Sequence, residues 1–211
     1  MHNSLRIFAL KVGSAVVVAT SLATLAGCGG GNSTSDIAPP PLPDSMMNIN
    51  LMPKVINAAV TTSLETHTAI TPSPNVPAAN KLFVFLPGTG AVPTEYKLIL
   101  TAAAAKGLHA IGVNYPNPTP VGVICRISSD DPNCFWNVHR EIVSGTDDSA
   151  DVATSKPDAI VTRLTDALEY LNRNFPDQGW GVYLRGDGTV DWSKVVLSGH
   201  SQGGGLSLIH I

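Results

Sequence analysis

Charge is scarce in this chain. Asp, Glu, Lys and Arg make up 14% of 211 residues, and 13 basic residues stand against 16 acidic ones for a net charge of −3. That balance supplies no excess of positive charge to attract a nucleic acid, so none is expected as a partner. Internal repeats are absent. Beyond the N-terminal segment no apolar stretch is long enough to span a bilayer. Cysteine is nearly absent too, with three residues, and neither a fourth cysteine nor a histidine cluster completes a metal-ligand set. No metal and no cofactor are therefore expected. What the chain has is apolar residues, 44% of the total, a globular rather than a disordered composition. Its length suits one domain with a sizeable core.

The N-terminus carries a targeting pattern. MHNSLRIFALKVG holds Arg6 and Lys11 and no acid, and SAVVVATSLATLAG is a short apolar run of small residues. Together they form the basic and apolar regions of an export signal. The run ends in Leu25-Ala26-Gly27-Cys28, which resembles the lipobox of bacterial lipoproteins. That resemblance implies removal of residues 1–27 and a lipid on Cys28, whereas an ordinary cleaved signal would leave Cys28 incidental. The expected location is outside the cytoplasm, anchored by lipid to a bacterial membrane on its periplasmic or cell-surface side. Losing the signal leaves 11 basic against 16 acidic residues, a net charge of −5. Residues 28–46, Gly/Ser-rich and then Pro-rich, read as a tether that is flexible first and stiffer afterwards. The other two cysteines, Cys125 and Cys134, sit in CRISSDDPNCFW. In an oxidising compartment they are either a short-loop disulfide or two free thiols.

Between residues 47 and 205 the pattern alternates. Residues 55–72 hold one or two early strands, and Leu82–Leu86 is a buried strand closed by Pro87-Gly88. A helix follows, with Pro93 near its start and Gly107 just past its end. LHAIGVNYP is the next strand, and residues 117–155 read as a long irregular segment. A helix from Ser155 to Pro176 buries Ile160, Leu164, Leu168 and Leu171, and a Ser155–Asp158 capping box opens it. Val195–Ser198 is a further buried strand. Such alternation predicts βαβ units and a mostly parallel sheet flanked by helices.

That last strand runs directly into Gly199-His200-Ser201-Gln202-Gly203. Gly-x-Ser-x-Gly between a strand and a helix forces a sharp turn at the serine, and side chains two residues to either side would collide there. Gly204 and Gly205 would then bring the helix close to the sheet. A second loop, Pro87-Gly88-Thr89-Gly90, follows an earlier strand, where a backbone donor for an oxyanion usually originates.

From about Lys81 to Gly205 the chain resembles an α/β-hydrolase. GHSQGGG is similar to the turn of bacterial esterases and polyester hydrolases, and PGTG to the lipase oxyanion loop, with Pro87 in place of its histidine. The resemblance implies an α/β-hydrolase fold and a carboxylic ester hydrolase working through an acyl-enzyme on a small-molecule or polymeric ester. It implies Ser201 as nucleophile and the backbone N–H groups of Gln202 and Thr89 as oxyanion donors. Gly88, Gly90, Gly199 and Gly203 would shape the site. A non-catalytic lipoprotein on the same scaffold, or an acyltransferase, are the other functional readings.

In that family the acid and the histidine follow the serine in the chain. Only ten residues follow Ser201, and the last six, LSLIHI, match the in-frame translation of the transposon adapter end CTGTCTCTTATACACATCT. Residues 206–211 are thus expected to be an artefact of sequencing. The domain is expected to lack its C-terminal strands and helices, and to be poorly soluble and inactive as written. A naturally short chain ending in a helix is the alternative.

Overall fold

The computed structural model describes residues 46–127 and 130–208. The expected export signal, Cys28 and all but one residue of the expected tether lie outside the described residues, as do residues 209–211 of the adapter-like tail.

Five strands form one sheet in the order β1-β2-β4-β3-β5. They are β1 (Asn48–Leu51), β2 (His67–Ile70), β3 (Leu82–Leu86), β4 (His109–Gly112) and β5 (Val195–Gly199). Pairs β3–β4 and β3–β5 are parallel, and pairs β1–β2 and β2–β4 are antiparallel. The sheet is therefore small and mixed, which corrects the expected mostly parallel α/β-hydrolase fold. A parallel neighbour requires a crossover of a dozen or so residues, usually helical. The link from β2 to β3 carries Pro72, Pro74 and Pro77, which exclude such a helix. Accordingly β2 runs against β4.

The helices are α1 (Pro53–Ile56), α2 (Lys97–Ala104), α3 (Val121–Ile127), α4 (Cys134–Ser144), α5 (Ile160–Asn174) and α6 (Gln202–Leu208). Side chains alternate across the central strand as the pleat requires. Leu82, Val84 and Leu86 join a large core with α4, α5 and Leu206 of α6, while Phe85 joins a smaller one with Leu100 and Ala104 of α2. The α5 stripe Ile160, Leu164, Leu168 and Leu171 is fully buried in the larger core.

Three expectations need correction besides the sheet. The segment 117–155 is not wholly irregular, since α3 and α4 lie in it, and a disulfide between Cys125 and Cys134 joins them. The Ser155 hydroxyl does bond Asp158, but the pair closes a separate 3-10 turn at Lys156–Asp158, and Ala159 is the residue before α5. Strand β5 is not deeply buried. It pairs with β3 on one side, has no other strand beside it among the described residues, and leaves Val196 43% exposed.

Beneath the β2–β4 pairing lies a buried polar network. The His67 Nδ1 accepts the Asn114 N–H at 2.8 Å. Burial, and then the nearby Arg163 charge, push the His67 pKa down to about 3. An unfolded histidine takes up its proton near pH 6.5 and this folded one does so only near 3. Its contribution is therefore whole above pH 6.5 and drains away as pH falls toward 3. Each pH unit in that window costs about 1.4 kcal/mol. Urea denaturation should lose about 2 kcal/mol between pH 6.5 and pH 5; a flat profile over that interval would contradict the neutral, buried His67.

Candidate functional site

The site is assembled at the ends of β3 and β5. Strand β5 delivers Gly199 to a turn in which the His200 N–H donates to Leu86 O at 3.1 Å, stitching the turn to the end of β3. Ser201 then adopts φ +53° and α6 starts at Gln202. A left-handed backbone at a residue other than glycine costs roughly 1–2 kcal/mol, so the surrounding contacts must hold it. They leave no room for alternatives. A Cβ on Gly203 would lie 2.0 Å from Leu86 O, and one on Gly199 2.3 Å from the Gly203 carbonyl carbon. Those two glycines alone permit the close approach of α6. Gly204 and Gly205 were expected to share that duty, yet a Cβ on either makes only ordinary contacts, the nearest at 3.4 and 3.8 Å.

The turn exposes the Ser201 side chain, and its hydroxyl has no hydrogen-bond partner among the described residues. The Pro87–Ala91 loop faces it. A Cβ on Gly88 would be 3.4 Å from Ser201 Cβ and 2.8 Å from His200 Nδ1. The Thr89 hydroxyl donates to Gln202 Oε1 at 2.7 Å, joining the loop to the first residue of α6. Gly90 holds φ +71° and donates its N–H to Asn117 O at 2.8 Å.

Most polar backbone groups around Ser201 are already engaged. Asn117 Nδ2 donates to Gly88 O and Ala91 O, and the Tyr115 hydroxyl donates to Pro87 O at 2.6 Å. Burial pushes the Tyr115 phenol pKa up, which keeps that hydroxyl a donor. The Gly88 N–H points to the Tyr96 hydroxyl at 3.5 Å, and the Ala91 N–H to Gly88 O. In α6 the N–H groups of Gly203, Gly204 and Gly205 bond the carbonyls of His200 and Ser201. Among the described residues the N–H groups of Thr89, Ser201 and Gln202 have no hydrogen-bond partner. Free donors on Thr89 of the facing loop and on Gln202, the residue after Ser201, thus accompany one exposed hydroxyl, the set of groups that can hold a carbonyl oxygen while a hydroxyl attacks its carbon.

None of the described histidines bonds the Ser201 hydroxyl. His200 Nδ1 lies 2.9 Å from the Tyr96 hydroxyl. His109 is buried between Tyr183 and Gln178 O, beside Trp180. The half-buried His139 ring lies 3.8 Å from a Cβ built on Gly205. Burial lowers the pKa of both His109 and His139.

Beside the serine opens a cleft of about 650 Å³, reached at Gly90 and Gln202. One side carries Ile124 of α3 and Ile142 of α4, which the disulfide holds together. Among the described residues no group of three or more His, Cys, Asp or Glu is placed to bind a metal, and no helix is long and apolar enough to cross a membrane.

Sequence patterns pointed to Ser201, Gln202, Thr89, Gly88, Gly90, Gly199 and Gly203, and these seven lie in the serine turn and the loop that faces it. They did not point to Tyr96, Tyr115 or Asn117, which hold the loop in place. A signal for Asn117 existed in Pro116-Asn117-Pro118: an amide between two prolines just past a strand occupies a fixed extended backbone. Comparison of the chain with protein-family models, curated proteins and solved structures finds no match.

Proposed function

We propose that this protein is a serine hydrolase that cleaves carboxylic esters through an acyl-enzyme. The observation that carries the reading is the exposed Ser201 hydroxyl on left-handed backbone, with the Thr89 and Gln202 N–H groups nearby in the loop and turn and without a partner among the described residues. Ser201 Oγ attacks the ester carbonyl carbon and gives its proton to a base, while the two amides hold the developing oxyanion. The alcohol leaves with that proton. Water then attacks the acyl-serine, the acid is released, and Ser201 recovers its proton. The base is an imidazole that none of the described histidines supplies. The same reading places the enzyme outside the cytoplasm, on a lipid anchor at Cys28.

The test uses the product of the complete reading frame and p-nitrophenyl butyrate. Ser201→Ala should lower kcat/KM by about 10³-fold or more with the melting temperature retained. Hydrolysis indifferent to that change would overturn the assignment.

A further inference from the structure

The cleft beside Ser201 has a charge of one sign. Its side chains include the carboxylates of Glu65 and Asp151 and the apolar Ile124, Ile142 and Val152, and none of the described residues that line it is a lysine, arginine or histidine. Arg163 lies below the floor, where it donates to Ser63 O and Asn114 O. It is 1% exposed and paired with Asp158 at 2.8 Å, and its remaining field reaches Glu65, so Glu65 and Asp158 together outnumber it. Residues 117–158, which contribute much of the far wall, add to the imbalance: with Asp158 set aside as the partner of Arg163, they carry six carboxylates against three cations. The concave wall also limits solvent screening relative to an open surface. Gln202 belongs at once to this cleft and to the serine turn, so whatever fills the cleft adjoins the reacting group.

We infer that the cleft selects esters whose acyl part joins an apolar segment to a positively charged amine, and that it turns away esters bearing a second carboxylate. Glu65 and Asp151 attract the ammonium group, while Ile124, Ile142 and Val152 cover the methylene chain. This deepens the proposed hydrolase reading and rests on it for turnover, though not for binding.

Three p-nitrophenyl esters test it: 4-(trimethylammonio)butanoate, its neutral isostere 5,5-dimethylhexanoate, and the glutarate half-ester. With the complete gene product, kcat/KM for the cationic ester should exceed that of the isostere about tenfold and that of the half-ester about a hundredfold. Those ratios should shrink as NaCl is raised, because screening weakens a charge preference and leaves an apolar one. In Glu65→Gln/Asp151→Asn the three values should converge to within about threefold, with folding checked by thermal melt. Equal values in the unmodified enzyme, or ratios that survive the double substitution, would overturn the inference and leave the hydrolase reading standing. Calorimetry on Ser201→Ala with the matching carboxamides separates the two failures. Preferred binding of the cationic amide, with no ester turned over by the unmodified protein, would sustain the cleft's selectivity and sink the hydrolase reading.

Discussion

Gly203→Ala lowers the melting temperature by about 6–12 °C. The new Cβ meets Leu86 O at 2.0 Å and Leu86 C and Pro87 O at 2.6 Å, all of them main-chain atoms at the end of the central strand. None can rotate away, so either α6 lifts off the sheet or the β3 end bends. Overpacking of a rigid site of this kind costs about 3 kcal/mol or more. That corresponds to a fall of about 6–12 °C in Tm for a domain of this size. Gly205→Ala is the control. A Cβ there finds its nearest neighbour at 3.8 Å, the His139 ring, and alanine favours a helix interior by up to about 1 kcal/mol. Differential scanning calorimetry should show Gly203→Ala far below the parent and Gly205→Ala level with it or above. Equal melting temperatures for the two variants would mean that α6 does not sit against Leu86 as described.

Arg163→Met carries the second large effect, about 3–5 kcal/mol, because it breaks a buried ion pair by removing one partner. All five guanidinium N–H groups are used: Nε to Asp158 O, one Nη to Ser63 O and Asn114 O, the other to Thr62 O and Asp158 Oδ1. Lysine, with one compact ammonium, cannot reach that spread of acceptors, so Arg163→Lys should recover less than half of the loss. Asp158 keeps other donors. Burial alone would raise its pKa, but the Ser155 and Thr61 hydroxyls and the Thr61 and Thr62 N–H groups hold the carboxyl well below the usual range. Chemical denaturation measures the stability. Because Thr62 and Ser63 belong to the cleft as well, any ligand the cleft takes should bind more weakly to Arg163→Met. Full stability in Arg163→Met would remove this network from the account.

Strand β3 was legible because it is a continuous apolar run closed by Pro87-Gly88, β5 because Val195–Leu197 is an apolar run leading into Ser198-Gly199, and the α5 stripe because its four residues repeat at helical spacing. The sense of the sheet was not legible. Whether β2 runs with or against the parallel pair β3–β4 depends on what the link from β2 to β3 can build, and its three prolines oppose a crossover helix. Helix α4 was missed although Cys134, Val138 and Ile142 repeat every fourth residue and are all buried. Its polar flanks and the nearby run of acids masked the period. The serine turn was readable since it is local: steric crowding at Gly199 and Gly203 follows from residues adjacent in sequence. The bonds from Arg163 to Ser63 and Asn114, and from Asn117 and Tyr115 to Gly88 and Pro87, join partners tens of residues apart, and no spacing rule reaches that far.

Reaction with a fluorophosphonate, followed by peptide mass mapping of the complete gene product, tests the central claim most directly. The account predicts one phosphonyl adduct, on the peptide containing Ser201, absent from Ser201→Ala and lost when the protein is first unfolded in urea. An unmodified Ser201 peptide from folded protein, or an adduct on another residue, would contradict it.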